Sequence, residues 1–290
     1  MFVFKPDIRM SDEEFRQIRD YIYNYCGLYF DIDAKYMLEK RLNRRVSQLQ
    51  LNSFKDYFYR LRYSRDCEEE LSLVIDLLTT NETYFFREDF QLKAFTDEIL
   101  PEIIKNKRGT GDRSLRIWSA GCSSGEEPYT IAMLMLQNPE LRRWDVEIIG
   151  TDISKQVLIK AREGVYGKNS FRSTEDYYVQ RYFTEEDGRL RISDQVKRLV
   201  TISHLNLLDV SRVSLLGRMD AIFCRNVIIY FNLEAKKKVI SRLYQQLSKG
   251  GFLLLGHSES LMNISTDFVL RHFIHDMVYQ RPDPARGVIL

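Results

Sequence analysis

The sequence predicts an α/β fold with a mostly parallel sheet and a small β insertion, preceded by a small all-helical domain. Apolar stripes at helical spacing fill Ser11 to about Leu78, with no strand-like alternation between them. From Leu115 onward short apolar strands alternate with helical runs, the pattern of right-handed crossovers in a parallel sheet. The polar clusters Ser119–Glu127, Asp152, Asn206 and Arg225-Asn226 each fall at the carboxyl end of such a strand, where open α/β sheets hold ligands.

The length of 290 residues suits about two domains, each burying its own core. With 44% hydrophobic and 29% charged residues the composition is that of a globular protein. No apolar run approaches the roughly 20 residues of a membrane helix. Met1-Phe2-Val3-Phe4-Lys5-Pro6 lacks the long apolar core of a leader, so a cytoplasmic protein without membrane insertion is expected. Cys26, Cys67, Cys122 and Cys224 are scattered, which suggests reduced thiols and no cysteine metal site. The four histidines form no helical pair with an acid, and no metal is expected.

In the helical domain, Ser11-Asp12-Glu13-Glu14 starts a helix whose apolar face is Phe15, Ile18 and Ile22. Gly27 and the Asp31/Asp33 pair break it. A second helix, Ala34 to Gln50, aligns Leu38, Leu42, Val46 and Leu49, with Lys40, Arg41 and Arg44 away from that stripe and Arg45 at its border. A third begins near Ser53, and a fourth runs Cys67 to Leu78. Asp33 to Arg65 holds nine basic and three acidic residues, about +6 in a chain of net +2. Such a run is either a solvated face or a dock for an acidic partner.

Asn81-Glu82-Thr83-Tyr84-Phe85-Phe86-Arg87-Glu88 leads into a helix read as Asp89–Lys107, with a hydrophobic staple as the plain explanation of its aromatics. A surface loop, Lys107 to Ser114, follows. Leu115, Ile117 and Trp118 then form a strand that runs through Ser119-Ala120-Gly121-Cys122-Ser123-Ser124-Gly125-Glu126-Glu127-Pro128 into a helix. Small residues between strand and helix let the backbone turn tightly and approach a ligand. Ser123 stands where a dinucleotide fingerprint would have its second glycine. One unit later Val146, Ile148 and Ile149 lead to Asp152, placed to accept hydrogen bonds from ribose hydroxyls. Asp152 could instead cap the helix Lys155–Arg162, but Ser154 can do that equally well.

Asp187-Gly188 marks a hairpin in the aromatic and charged stretch Tyr177–Leu199, which is the β insertion. A strand is expected over Val196–His204, ending at Leu205-Asn206-Leu207-Leu208, and another over Ala221–Cys224, ending at Arg225-Asn226. A helix from Leu233 to Ser248 has Asn232 as its cap and Gly250-Gly251 to close it. Phe252–Leu255 and a hairpin of Val269–Phe273 with Met277–Gln280 complete the sheet.

These motifs together resemble the chemotaxis receptor glutamate O-methyltransferase (CheR) family, over nearly the whole chain. The most specific are the double-Glu loop, Ser119 to Tyr129, and Phe223-Cys224-Arg225-Asn226-Val227-Ile228-Ile229-Tyr230-Phe231. The resemblance implies a Rossmann-like S-adenosylmethionine-dependent methyltransferase domain, residues 81–290, after a receptor-docking domain, residues 1–80. It implies methyl transfer from S-adenosyl-L-methionine to glutamate side chains of chemoreceptors in adaptation, leaving S-adenosyl-L-homocysteine. By the same resemblance Asn81, Thr83 and Arg87 reach over the cofactor and Asp152 holds the ribose. Gly121, Glu126 and Glu127 line the loop and the methionine end, and Asn206-Leu207 with Arg225-Asn226 completes the pocket. Tyr230 stands near the transferred methyl, and Tyr230 and Arg87 position rather than move protons. Lys40, Arg41, Arg44 and Arg45 would meet the acidic methylation helices of receptor cytoplasmic domains. Some members grip a tethering pentapeptide through a glycine-rich loop in the β insertion. The hairpin here, Phe183 to Leu190, is short with a single glycine and departs from that pattern. A monomer is expected.

The chemistry agrees with what is missing. A glutamate carboxylate, pKa about 4.3, is already ionised at neutral pH and needs no general base, and the chain shows no His or Cys catalytic constellation. Two other classes compete. A nucleic-acid methyltransferase could use the basic helical domain as its electrostatic footprint, although Asn226-Val227-Ile228 lacks the prolines such enzymes carry after the fourth strand. A signalling module could bind the nucleoside without transferring methyl.

Overall fold

The computed structural model describes residues 8–284; Met1–Pro6, read above for the lack of a leader, lies outside them. The chain forms two compact units, Met1–Thr80 with Tyr230–Asn232, and Asn81–Ile229 with Leu233–Leu290. Among the described residues no helix is long and apolar enough to cross a membrane.

The first unit holds α1 (Asp12–Cys26), α2 (Lys35–Gln48), α3 (Phe54–Tyr63) and α4 (Cys67–Leu78). A capping box starts α1: Glu14 N–H donates to Ser11 Oγ at 3.2 Å, and Ser11 N–H to Glu14 Oε2 at 2.8 Å. Gly27, at φ 79°, ends it. Phe15, Ile18, Ile22, Leu38, Leu42 and Val46 are fully buried, as the stripes require. The core also contains Glu70, only 1% exposed. Arg45 Nε donates to its Oε1 at 2.8 Å and Arg45 Nη2 to Oε2, while Tyr57 O–H donates to Oε1 at 2.8 Å. Burial alone would raise the Glu70 pKa, but these bonds outweigh it and hold the carboxyl below its usual 4.5.

A carboxyl lowered by folding contributes stability that is fully present above the unfolded pKa and is lost as pH falls through the folded one. Wild type should therefore lose thermal stability of the helical unit below about pH 4.5. In Glu70→Gln that part of the pH dependence should be missing. Melts between pH 7 and 3 check this, and parallel curves for the two proteins would refute it.

The second unit begins with α5 (Asp89–Lys93), a π-helical turn (Ala94–Ile99) and α6 (Leu100–Thr110). The sequence predicts one helix ending at Lys107; it runs to Thr110 and is closed by Gly111, φ 78°. The wide turn lies just before Pro101, whose missing N–H and bulky ring disturb the ladder one turn back. Then follow β1 (Ser114–Ala120), α7 (Glu126–Gln137), β2 (Asp145–Asp152), α8 (Lys155–Glu163) and β3 (Val165–Tyr166). The insertion continues with α9 (Asp176–Tyr182), β4 (Phe183–Glu186), β5 (Arg189–Ile192) and α10 (Asp194–Lys197). Last come β6 (Val200–His204), α11 (Val210–Ser214), β7 (Met219–Cys224), α12 (Leu233–Gln246), β8 (Leu247–Leu255), β9 (Val269–His272) and β10 (Met277–Gln280).

The main sheet has the order β6-β2-β1-β7-β8-β10-β9, parallel from β6 to β8 and antiparallel beyond. From β1 the chain builds outward to β2 and β6, then returns to add β7 and β8 on the other side. The order reverses between β1 and β7, which makes their carboxyl ends the ligand crevice of an open α/β sheet.

Three local expectations are corrected. The strand predicted from Val196 begins at Val200, because Asp194–Lys197 closes a helical turn first. Gly250 and Gly251 lie inside β8 rather than closing α12. They sit at the register shift against β7, and a Cβ on Gly251 would lie 3.0 Å from the Asp220 carbonyl. The hairpin turn is Asp187-Gly188, φ 49° and 73°, but a third strand, β3, joins it to give the order β3-β5-β4. At two residues, β3 is too short to leave a periodic signal. Phe85, from the aromatic run before α5, packs against Tyr166, Phe171 and Phe183 at 4.8, 5.1 and 5.1 Å, so it anchors that segment to the insertion.

Candidate active site at the carboxyl ends of β1, β2, β6 and β7

The turn after β1 is fixed from β2. Gly121 and Cys122 N–H both donate to the Thr151 carbonyl, at 2.7 and 2.9 Å. Gly121 has φ 84°, and a Cβ there would lie 2.3 Å from Val227 Cγ2, so glycine is required twice over. Ser123 adopts φ 48° without being glycine. Its N–H donates to Asp152 Oδ2 at 2.8 Å and its Oγ to the Asn81 carbonyl at 3.0 Å, which offset the strain. Ser154 caps α8, accepting from Val157 N–H. Asp152 does not cap; its Oδ1 accepts from Ser154 N–H at 2.9 Å.

The two glutamates opening α7 part company. Glu126 is buried, accepting from Ser124 Oγ at 2.8 Å and Ser170 Oγ at 3.0 Å. Glu127 accepts from Ser119 Oγ at 2.7 Å and faces Arg225 Nη1 at 3.4 Å. Burial raises both carboxyl pKa values, opposed chiefly by Ser124 at Glu126 and by Arg225 at Glu127. Arg225, its side chain 2% exposed, also pairs with Glu88 at 3.2 Å and donates to the Arg87 carbonyl. Phe86 and Glu88 have φ 59° and 55°, so the backbone on either side of Arg87 is held in a strained form. Arg87 itself donates to the Glu82 carbonyl at 3.1 Å and lies over the Tyr84 ring. Asn81 and Thr83 are half-buried on the same segment.

Asn206 follows β6 and turns the chain, its Oδ1 accepting from Leu208 N–H at 2.9 Å. The Leu207 carbonyl accepts from Arg242 at 2.8 Å. Asn226, after β7, has φ 59°. Arg225 Nε and Asn226 Oδ1 are buried polar atoms with no partner among the described residues. Such atoms are rare in folded interiors and ordinarily meet a ligand or water.

Gly121, Glu126, Glu127, Asp152, Asn206, Leu207, Arg225, Asn226, Asn81, Thr83 and Arg87 thus lie on the second unit, at the carboxyl ends of β1, β2, β6 and β7, in the first turn of α7 and on the segment before α5. Tyr230 does not group with them. It belongs to Tyr230–Asn232, which groups with the helical unit, where Tyr29 N–H donates to the Tyr230 carbonyl at 3.1 Å and Leu28 bridges Phe231. On the helical unit Lys40 and Arg44 are exposed. Arg41 donates to the Leu78 carbonyl at 2.8 Å, closing α4, and Arg45 is committed to Glu70. Neither tie follows from helical spacing within α2.

Sequence reasoning missed Glu88, Ser170 and Glu259. Glu88 and Ser170 carry no local signal. Glu259 does: it follows the carboxyl end of β8, the same position rule that identifies Asp152. Burial raises the thiol pKa values of Cys122 and Cys224 well above normal, so neither is an ionised nucleophile at neutral pH. Among the described residues, no group of three or more His, Cys, Asp or Glu is placed to hold a metal ion.

Residues 81–274 match the family model for the CheR methyltransferase SAM binding domain, and residues 13–79 that for the CheR methyltransferase all-alpha domain. The chain is 38% identical to chemotaxis protein methyltransferase 2 of Vibrio cholerae, over 97% of both chains. It is 34% identical to the chemotaxis protein methyltransferase of Borreliella burgdorferi, over 89% of this chain and 92% of that one. To chemotaxis protein methyltransferase 1 of Pseudomonas aeruginosa it is 33% identical, over 93% and 98%.

Proposed function

Because this chain belongs to the CheR methyltransferase family, an S-adenosylmethionine-dependent methyltransferase of chemotaxis, we propose that it esterifies glutamate side chains on acidic helices of chemoreceptor cytoplasmic domains. The observation that carries the reading is the charge of the crevice. Glu88, Glu126, Glu127 and Asp152 gather there against Arg87 and Arg225, an acidic surround suited to a cationic ligand. The orphan polar atoms Arg225 Nε and Asn226 Oδ1 give the same loops unused hydrogen-bonding capacity.

When bound, S-adenosylmethionine supplies an electrophilic methyl group on a positive sulfonium. Asp152 would hold its ribose and Glu126/Glu127 the methionine end, with Asn81, Thr83, Gly121, Asn206, Leu207 and Asn226 completing the cradle. Arg87 acts by positioning. The substrate carboxylate is ionised at neutral pH, so no residue need remove a proton. A cation fixed on that carboxylate would stabilise the reactants more than the transition state, in which the charges cancel. Catalysis then rests on alignment and on exclusion of water.

Radiolabelled S-adenosylmethionine incubated with receptor-enriched membranes tests the reading. Label released as methanol by alkali identifies a carboxyl methyl ester. Alkali-stable label, or label in nucleic acid, would overturn it, as would binding of S-adenosylhomocysteine with no transfer at all. Asp152→Ala should weaken S-adenosylhomocysteine by about 1.5–3 kcal/mol, the range for charge-assisted hydrogen bonds. Calorimetric titration decides it, and an unchanged dissociation constant removes Asp152 from the ribose role.

Docking rests on the exposed α2 charges. Lys40→Glu with Arg44→Glu should slow receptor methylation about tenfold at low salt while leaving cofactor affinity intact, because rim charges act through association rate. Wild-type activity should fall as ionic strength rises. If the face is merely solvated, the double variant will match wild type at every salt concentration.

A further inference from the structure

Glu259 lies outside every motif used above, yet it accepts from four backbone N–H groups. Its Oε2 accepts from the N–H groups of Asn226 and Gly256, both at 2.7 Å. Its Oε1 accepts from Val227 at 2.9 Å and Ile229 at 3.2 Å. Asn226, Val227 and Ile229 belong to the loop leaving β7, while Gly256 and Glu259 follow β8. One carboxylate therefore joins two adjacent strand ends. A carboxylate offers acceptors only, in about four directions, so four converging N–H donors suit it and no neutral side chain of that size.

The consequence reaches the turn after β1. Val227 Cγ2 lies 2.3 Å from where a Cβ on Gly121 would stand, so Val227 covers that turn directly. The same clamp fixes Asn226 at φ 59°, a left-handed form that is strained unless its surroundings hold it. Gly256 belongs to the clamp as well. A Cβ there would lie 2.7 Å from Asn226 Nδ2 and 2.8 Å from Asn226 N, so only glycine lets the two strand ends close.

We infer that Glu259 is a positioning residue for methyl transfer: through the loop after β7 it seats Val227 on the Gly121 turn and so sets the shape of the cofactor cradle. The inference rests on the methyltransferase reading above. It differs from a general role in stability because the groups it holds are the cradle loops, while the strands of the sheet are held by their own ladders.

Glu259→Gln keeps the shape but turns an amide NH2 toward N–H donors. The full-length wild type, Glu259→Gln, Val227→Ala and the double variant should be titrated calorimetrically with S-adenosylhomocysteine, assayed for receptor methylation and melted without ligand. Glu259→Gln should bind S-adenosylhomocysteine at least tenfold more weakly and raise the KM for S-adenosylmethionine to match. Its KM for receptor should stay within twofold of wild type, a split that a general loss of fold would not give. Val227→Ala should weaken binding in the same sense, and the double variant should be no worse than the weaker-binding single, since both act on one contact. Wild-type affinity in Glu259→Gln, or losses that multiply in the double variant, would overturn the inference. Should Glu259→Gln not fold, wild-type affinity in Val227→Ala overturns it, and weakened affinity supports it. A wild-type chain that binds no S-adenosylhomocysteine overturns the methyltransferase reading itself, and the role of Glu259 with it.

Discussion

Gly121→Ala should bind S-adenosylhomocysteine about a hundredfold more weakly than wild type, or not measurably. Alanine meets two obstacles at that position. The backbone is at φ 84°, where a side chain costs roughly 1–2 kcal/mol. The added methyl would also lie 2.3 Å from Val227 Cγ2, and forcing bulk into a packed site costs about 1–3 kcal/mol more. The turn can relieve both only by moving, which would pull Gly121 and Cys122 N–H away from the Thr151 carbonyl. At about 1.4 kcal/mol per tenfold, a combined cost of about 3 kcal/mol removes two orders of magnitude in affinity. Adding Val227→Ala should restore part of the binding, because it removes the obstructing methyl but not the backbone strain. Calorimetry on the three proteins checks both steps. Wild-type affinity in the single variant would show that the turn is not part of the cradle.

Arg45→Ala should destabilise the helical unit by about 3–5 kcal/mol, because it leaves a buried carboxylate without its countercharge. Glu70 is 1% exposed and would keep only the Tyr57 hydrogen bond. Combining Arg45→Ala with Glu70→Leu should recover most of the loss, since replacing both members of a buried pair by apolar groups is often close to neutral. Denaturant unfolding gives the numbers. The same experiment separates structure from docking at this residue. If Arg45→Ala is as stable as wild type but methylates receptors slowly, Arg45 belongs to the docking face after all, together with Lys40 and Arg44.

The chain alone determined the architecture because its signals are local. Helical stripes such as Leu38-Leu42-Val46 and strand runs such as Ala221–Cys224 declare themselves by period, and those positions are fully buried. The rule that ligands sit at strand carboxyl ends then singled out the loops after Ala120, Asp152, His204 and Cys224 from the sequence alone. The cap of α8 stayed open between Asp152 and Ser154 in the sequence; Ser154 takes it, and Asp152 binds the neighbouring loop.

What only tertiary structure decided are pairings between residues far apart in the chain. Nothing near Arg45 shows that the buried Glu70, 25 residues on, will engage its guanidinium. Nothing near Gly250-Gly251 distinguishes a helix stop from a bulge, since both use glycine; the choice falls to the neighbouring strand, whose backbone passes 3.0 Å from where a Cβ on Gly251 would stand. Tyr230 is flanked in sequence by residues of the second unit, yet its carbonyl accepts from Tyr29 N–H and it groups with the helical one. The place of Glu259 after β8 follows from the strand-end rule, but its role does not. Its four donors come from both sides of α12, and a carboxylate's role is set by what converges on it, which no local pattern records.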